Sequence, residues 1–219
     1  MSEELNLKTI TTNDPIFDDI RPCNDSEVES ELNKIISDKM VINNILKFRY
    51  PLMYKTFGFA LKPFVKAILK KKVAHIKTIK DFQDIVADFV KKMIATTTDG
   101  IELVGFDKLE KNKGYLFISN HRDISLDPAF IDIALHMTGN NTVRIAIGDN
   151  LLRMPAVTSL MRLNRSFIVK RSIEAPREKL KALTHLSEYI GLSIAENNSI
   201  WIAQREGRAK DGNDKTEDA

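Results

Sequence analysis

Apolar residues recur at helical spacing through the first half of the chain. Val28, Leu32, Ile35 and Ile36 share one face, and Ser26 with Glu29 three residues later has the spacing of a capping box that opens a helix. Val41 to Phe48 continues in this style as far as Pro51. Residues 52–72 differ: Met53, Tyr54, Phe57, Phe59, Leu61, Phe64, Ile68 and Leu69 are interleaved with Lys55, Lys62, Lys66 and Lys70 to Lys72, and Pro63 breaks the pattern. Asp81 then opens a helix with Phe82, Ile85, Val86, Phe89, Val90 and Ile94 on one stripe, which stops at Thr96–Gly100.

From residue 101 the pattern shortens. Ile101 to Val104, Tyr115 to Ser119, Val143 to Ile147, Ser166 to Val169 and Ser199 to Ala203 read as strands. Helices are expected over Asp127 to Met137, over Leu151 to Leu163 with a break at Pro155, and over Pro176 to Ile194 with the proline at its first position. Strands alternating with helices predict an α/β fold, a mostly parallel or mixed sheet flanked by helices, with an N-terminal helical extension. Residues 1–25 are polar and irregular and read as a mobile arm, 26–99 as the helical region, and 100–219 as the α/β domain. The chain ends soon after its last strand, where a covering helix is expected, so the domain reads as short for its class or as lacking its end.

Composition narrows the function classes. A net charge of +3 in 219 residues is too small to argue for nucleic acid and suits anionic small molecules or an anionic membrane. The lysine-rich stretch fits a membrane interface; the plainer alternative is a helix packed on the core with its lysines toward water. One cysteine, Cys23, fits a reducing compartment. The N-terminus has no signal-peptide pattern, and no stretch approaches the ~20 apolar residues of a spanning helix.

Candidate chemistry concentrates in YLFISNHRDISLDPAF, residues 115–130. Of the four histidines, only His121 stands where a strand hands over to a helix with carboxylates nearby. A histidine whose other ring nitrogen is held by a carboxylate is a general base. With no serine or cysteine elbow beside it, a substrate hydroxyl is one candidate for the group it activates. Asp127 and Asp123 are the two candidate partners; Asp127 also stands where a helix cap is needed, and Asp123 where a turn residue is. No second histidine or cysteine has metal-ligand spacing, so no metal is expected. Two basic stretches follow. Arg165, Lys170 and Arg171 flank a strand and suit a phosphate, or are simply solvated. Glu206, Gly207 and Arg208, with Arg205 and Lys210, form a loop fit for an anion, without the ending of a Walker loop.

Asn120-His121 with a following aspartate, then Phe167-Ile168-Val169-Lys170-Arg171, then Glu206-Gly207-Arg208, resembles the motif series of the glycerolipid acyltransferase family, the glycerol-3-phosphate and lysophosphatidic acid acyltransferases. The likeness covers roughly residues 101–212, and the wording of the motifs is similar to a bacterial subgroup. The family places its aspartate five positions after the histidine; here that position is Leu126, with Asp127 one residue later. Arg208 follows Gly207 one residue early, and a fourth motif, an apolar strand ending in proline, is absent.

The resemblance implies a cytoplasmic enzyme, peripheral on the inner face of the cytoplasmic membrane, that serves phospholipid biosynthesis. His121, oriented by Asp127 or Asp123, would deprotonate the acceptor hydroxyl. The alkoxide would attack the thioester of acyl-CoA or acyl-carrier protein, a co-substrate, so no bound cofactor is expected. Arg171, Glu206, Gly207 and Arg208 would place the acceptor phosphate, with Asn120, Arg122 and Lys170 as further substrate contacts. A lipid- or acyl-carrier-binding protein without turnover, and a hydrolase using His121 to activate water, are the alternative readings.

Overall fold

The computed structural model describes residues 10–204 together with Ala209. Four helices come first: α1 (Val28–Ser37), α2 (Lys39–Arg49), α3 (Pro51–Val73) and α4 (Ile79–Thr97). The α/β part follows as β1 (Leu116–Ser119), α5 (Leu126–Met137), β2 (Arg144–Gly148), α6 (Pro155–Leu163), β3 (Ser166–Val169), α7 (Pro176–Ala195) and β4 (Ile200–Ala203). The strands form one sheet in the order β1-β4-β2-β3, and every pairing is parallel. In register, Ser119 lies beside Ala203 and Gly148 beside Val169. All four strands therefore end along one edge, and the loops that follow them share that edge.

Alternation within the strands divides the core into two layers. Ile200 packs with Phe17, Ile20, Phe167 and Tyr189 on the α7 face. Its neighbour Trp201 points the other way and packs with Leu135, Val143 and Ile145 under α5. The helical region is welded to these layers: Val28, Leu32 and Phe82 meet Leu163 of α6, and Ala87, Val90 and Ile94 meet Ile133 of α5.

Four expectations change. Residues 101–104 form no strand, because their alternation serves the helices: Ile101 packs against the α4–α5 cluster while Val104 is left exposed. The chain from residue 10 to 24, expected to be part of a mobile arm, is anchored. Phe17 is fully buried, stacked on His185 at 4.8 Å and edge-on to Tyr189 at 5.4 Å, and the Ile20 carbonyl accepts a hydrogen bond from the Ile168 amide. Its apolar residues sit in 3-10 turns, which carry no helical period to detect. The capping box is Asn24 with Glu27 rather than Ser26 with Glu29, and Arg21 clamps the Glu27 carboxylate. Pro63 does not interrupt α3; it lies on the exposed face, where water can satisfy the carbonyl its ring leaves unpaired.

Phe17→Ala is expected to lower unfolding stability by about 3 kcal/mol, as for other fully buried phenylalanines. Chemical denaturation measures this; a loss below ~1 kcal/mol would show that the segment is not anchored through this ring.

Candidate active site

The site begins where β1 stops. Ser119 is fixed to β4 twice: its carbonyl accepts from the Gln204 amide at 2.9 Å, and its hydroxyl accepts from the Trp201 indole at 3.0 Å. The chain then leaves the sheet through Asn120 and His121 into a tight turn before α5.

Two aspartates divide the work in that turn. Asp123 accepts from the Ser125 and Leu126 amides, both at 2.8 Å, and so caps the start of α5. One oxygen of Asp127 gathers three donors: the Arg122 amide at 2.8 Å, the Asp123 amide at 3.1 Å and Nδ1 of His121 at 2.9 Å. Asp127 is the second residue of the helix rather than its cap. With the carboxylate on Nδ1, that nitrogen carries the proton and Nε2 is the basic one. Nε2 makes no hydrogen bond among the described residues. Each member of the pair is 17% exposed, and the His121 ring stands edge-on to Trp201 at 6.1 Å. The imidazole is thus held on one side by a carboxylate and on another by an indole, with its base nitrogen uncommitted.

Arg171 reaches the same edge from β3. The Asp149 carboxylate accepts from the Arg171 amide at 3.1 Å and from the Ser172 amide and hydroxyl, which ties the loop after β3 to the end of β2. Burial pushes the Asp149 carboxyl up, but these hydrogen bonds outweigh it and hold it below its ordinary value. The Arg171 side chain lies across Gly148: a Cβ there would come within 3.1 Å of its Cδ and 3.3 Å of its Nε. Glycine lets the guanidinium stem cross the end of β2, the strand between β3 and β4.

The other expected site residues separate. Asn120 and Arg122 are exposed in the His121 turn, beside the pair. Lys170 forms an ion pair with Asp19 of the N-terminal segment. Arg165 stands at the start of β3, at the opposite edge of the sheet, where it donates to the Thr142 carbonyl at 2.7 Å and the Asn198 side chain at 2.8 Å. Glu206, Gly207 and Arg208 lie outside the described residues. The residues on either side of that stretch return to the site: the Gln204 amide bonds the Ser119 carbonyl, and the Ala209 amide bonds the His121 carbonyl at 2.8 Å.

Sequence reasoning missed Trp201, Asp149 and Gly148. An aspartate after a glycine at a strand end, and the single tryptophan next to the last expected strand, were the available signals. Among the described residues, no three His, Cys, Asp or Glu side chains are grouped to hold a metal ion.

The acyltransferase family model matches residues 100–214. No curated protein compared with the chain matches it. The matched segment takes in the whole sheet, the histidine turn and the loop after β3. On that match the chain belongs to the acyltransferase family, the one that contains the glycerol-3-phosphate and lysophosphatidic acid acyltransferases, and its chemistry requires an acyl donor and an acceptor.

Proposed function

We propose that this acyltransferase moves a fatty acyl group from acyl-CoA or acyl-carrier protein to the hydroxyl of glycerol-3-phosphate or 1-acylglycerol-3-phosphate, a step of phospholipid biosynthesis. The observation that carries the reading is the His121–Asp127 pair, 2.9 Å apart, with Nε2 uncommitted. Nε2 takes the proton of the acceptor hydroxyl as its oxygen attacks the thioester carbonyl. The tetrahedral intermediate collapses, the C–S bond breaks, and the leaving thiolate takes the proton back from His121. Asp127 holds the tautomer and stabilises the transient imidazolium. Arg171, fixed across Gly148, receives the acceptor phosphate with its planar fork. Lys170 is held by Asp19 of the N-terminal segment, and a guanidinium can grip a phosphate with two parallel hydrogen bonds where an ammonium offers a point charge, so Arg171 is the stronger phosphate ligand of the two. By the family likeness, Glu206, Gly207 and Arg208 complete that phosphate site, and Asn120 and Arg122 border the reacting hydroxyl.

The acceptor's lipid character fits the exposed surface of the helical region. Phe48, Leu52 and Phe59 are 90%, 81% and 88% exposed, and Phe64 is also exposed. The lysines of α3 accompany them. Single exposed apolar residues are ordinary, but Phe59 and Phe64 among the lysines of α3 match a bilayer interface. No helix among the described residues is long and apolar enough to cross a membrane. The proposed location is accordingly peripheral, on the cytoplasmic face of the cytoplasmic membrane.

A radiolabelled acyl-transfer assay tests the chemistry, pairing each donor with each acceptor. His121→Ala is expected to lower the rate by about 10²–10⁴-fold while the fold is kept. Near-normal transfer would remove the histidine from the mechanism.

The two aspartates separate by the same assay combined with denaturation. Asp127→Asn is expected to lower kcat by at least ~10²-fold through the wrong tautomer. Asp123→Asn is expected to cost about 1 kcal/mol or less of stability with kcat little changed. The reverse pattern would reassign the partner.

Gly148→Ala sets a Cβ against the Asn150 side-chain oxygen and within 3.1 Å of the Arg171 Cδ, so both side chains must shift. A rise in the acceptor KM, with the donor KM unchanged, is the expected result; an effect confined to the donor would refute the phosphate role of Arg171.

Flotation with anionic vesicles tests the surface. The Phe59→Ser, Phe64→Ser double variant is expected to bind about tenfold or more weakly, since two large apolar side chains leave the interface. Unchanged binding would place the membrane contact elsewhere.

A further inference from the structure

A large cavity lies away from His121. It is an open cleft of about 680 Å³ between the helical region and the opposite edge of the sheet, where β2 and β3 begin. Its floor carries Arg144 and Arg165, the residues at the N-terminal ends of these strands. Gln83 and His136 line one wall, from α4 and α5.

The polar groups here are matched to one kind of ligand. Neither Arg144 nor Arg165 makes an ion pair among the described residues. Arg144 donates to the Ser193 hydroxyl at 2.8 Å, and Arg165 to the Thr142 carbonyl and the Asn198 side chain, all neutral acceptors. The other arginine at the cleft, Arg21, is by contrast paired with both Asp18 and Glu27. Gln83 accepts from the Thr142 hydroxyl at 2.8 Å through Oε1, which leaves its Nε2 buried with no partner. Nδ1 of His136 is likewise buried and unpartnered, while Nε2 faces Asp84 at 3.2 Å.

The carboxylates near the cleft have partners of their own. Asp84 is already engaged by Lys80, and Asp25 accepts from the Ile79 amide. Asp132 is the deepest, and burial pushes its carboxyl well above the ordinary range, against the pull of the Val143 amide and Arg165. Arg165 is pushed down by burial and then by the neighbouring Arg144 guanidinium. Two like charges held in a cleft, with an unpartnered amide donor beside them, are satisfied by an oxyanion.

We infer that this cleft is a second binding site, distinct from the His121 site, for a small metabolite bearing a phosphate or carboxylate group held by Arg144, Arg165 and Gln83. The two sites lie at opposite ends of the strands, roughly 15 Å apart for strands of this length. The volume is in the range of small-molecule sites and exceeds what a lone ion needs. α5 and β2 each reach both places: α5 runs from Asp127 to His136, and β2 from Arg144 to Gly148.

The test is titration of the full chain carrying Arg171→Ala, which weakens the proposed acceptor site, with inorganic phosphate and with malonate. Calorimetry and thermal unfolding are read against sodium chloride at matched ionic strength. A saturable heat and a saturable rise in Tm are expected. Adding Arg144→Gln or Gln83→Leu should each weaken binding about tenfold or more, the effect of one charge-assisted or otherwise unpaired hydrogen bond. Gln83→Leu keeps the side-chain volume, so it serves if Arg144→Gln fails to fold. Tighter binding of phosphate than malonate identifies a phosphate ester as the ligand class, and the reverse order a carboxylate. No saturable response beyond chloride overturns the inference. So does binding that survives Gln83→Leu and every Arg144 substitution that folds.

Discussion

One carboxylate oxygen of Asp127 organises the turn on which the proposed chemistry depends. By accepting from the Arg122 and Asp123 amides and from Nδ1 of His121, it fixes the backbone path and the ring together. Neither could be fixed alone: a free imidazole on a loose turn would lose rotamer entropy at every encounter with substrate. The arrangement works because Asp123, four residues earlier, takes over the capping of α5 and leaves Asp127 available. Ser119, clamped to Trp201 and Gln204, gives the turn a rigid origin.

Parallel pairing turns this local arrangement into a site. Strands that all run one way deliver their following loops to one edge, so His121 after β1 and Arg171 after β3 share it although 50 residues of sequence separate them. Gly148 and Asp149 connect the two halves, one by yielding space to the Arg171 side chain and the other by bonding its backbone. The same geometry sends Arg165 to the far edge. It precedes β3 while Arg171 follows it, and four strand residues between them put them at opposite ends of the sheet.

What the sequence disclosed follows the same logic. Elements with a strong period and clear ends were legible: β3 occupies Ser166–Val169 as expected, and α7 begins at Pro176 and ends one residue past Ile194. The histidine turn was legible because its residue types have few other uses together. The choice between Asp123 and Asp127 was not, since both spacings are compatible with a turn and only the path of the chain through Ser125 decides which carboxylate reaches the ring. Residues 101–104 show the converse failure: alternation marks one buried face, and a helix pair covers that face as well as a neighbouring strand would. The burial of Phe17 had no signal, because its partners Phe167, His185 and Tyr189 come from elements more than a hundred residues away.

The sheet also explains why charge is distributed as it is. Net charge is small, yet cations gather at both ends of the strands, Arg171 at one and Arg144 with Arg165 at the other. A uniformly basic surface would attract polyanions indiscriminately. Guanidinium groups set individually at strand ends keep that charge local, and Arg144 with Arg165 line one cleft in contact with neutral acceptors. Lys170 marks the boundary of this scheme. One residue before Arg171, it turns outward to Asp19 and anchors the N-terminal segment along β3, so adjacent cations on one strand end serve different places, one against the N-terminal segment and one across the end of β2.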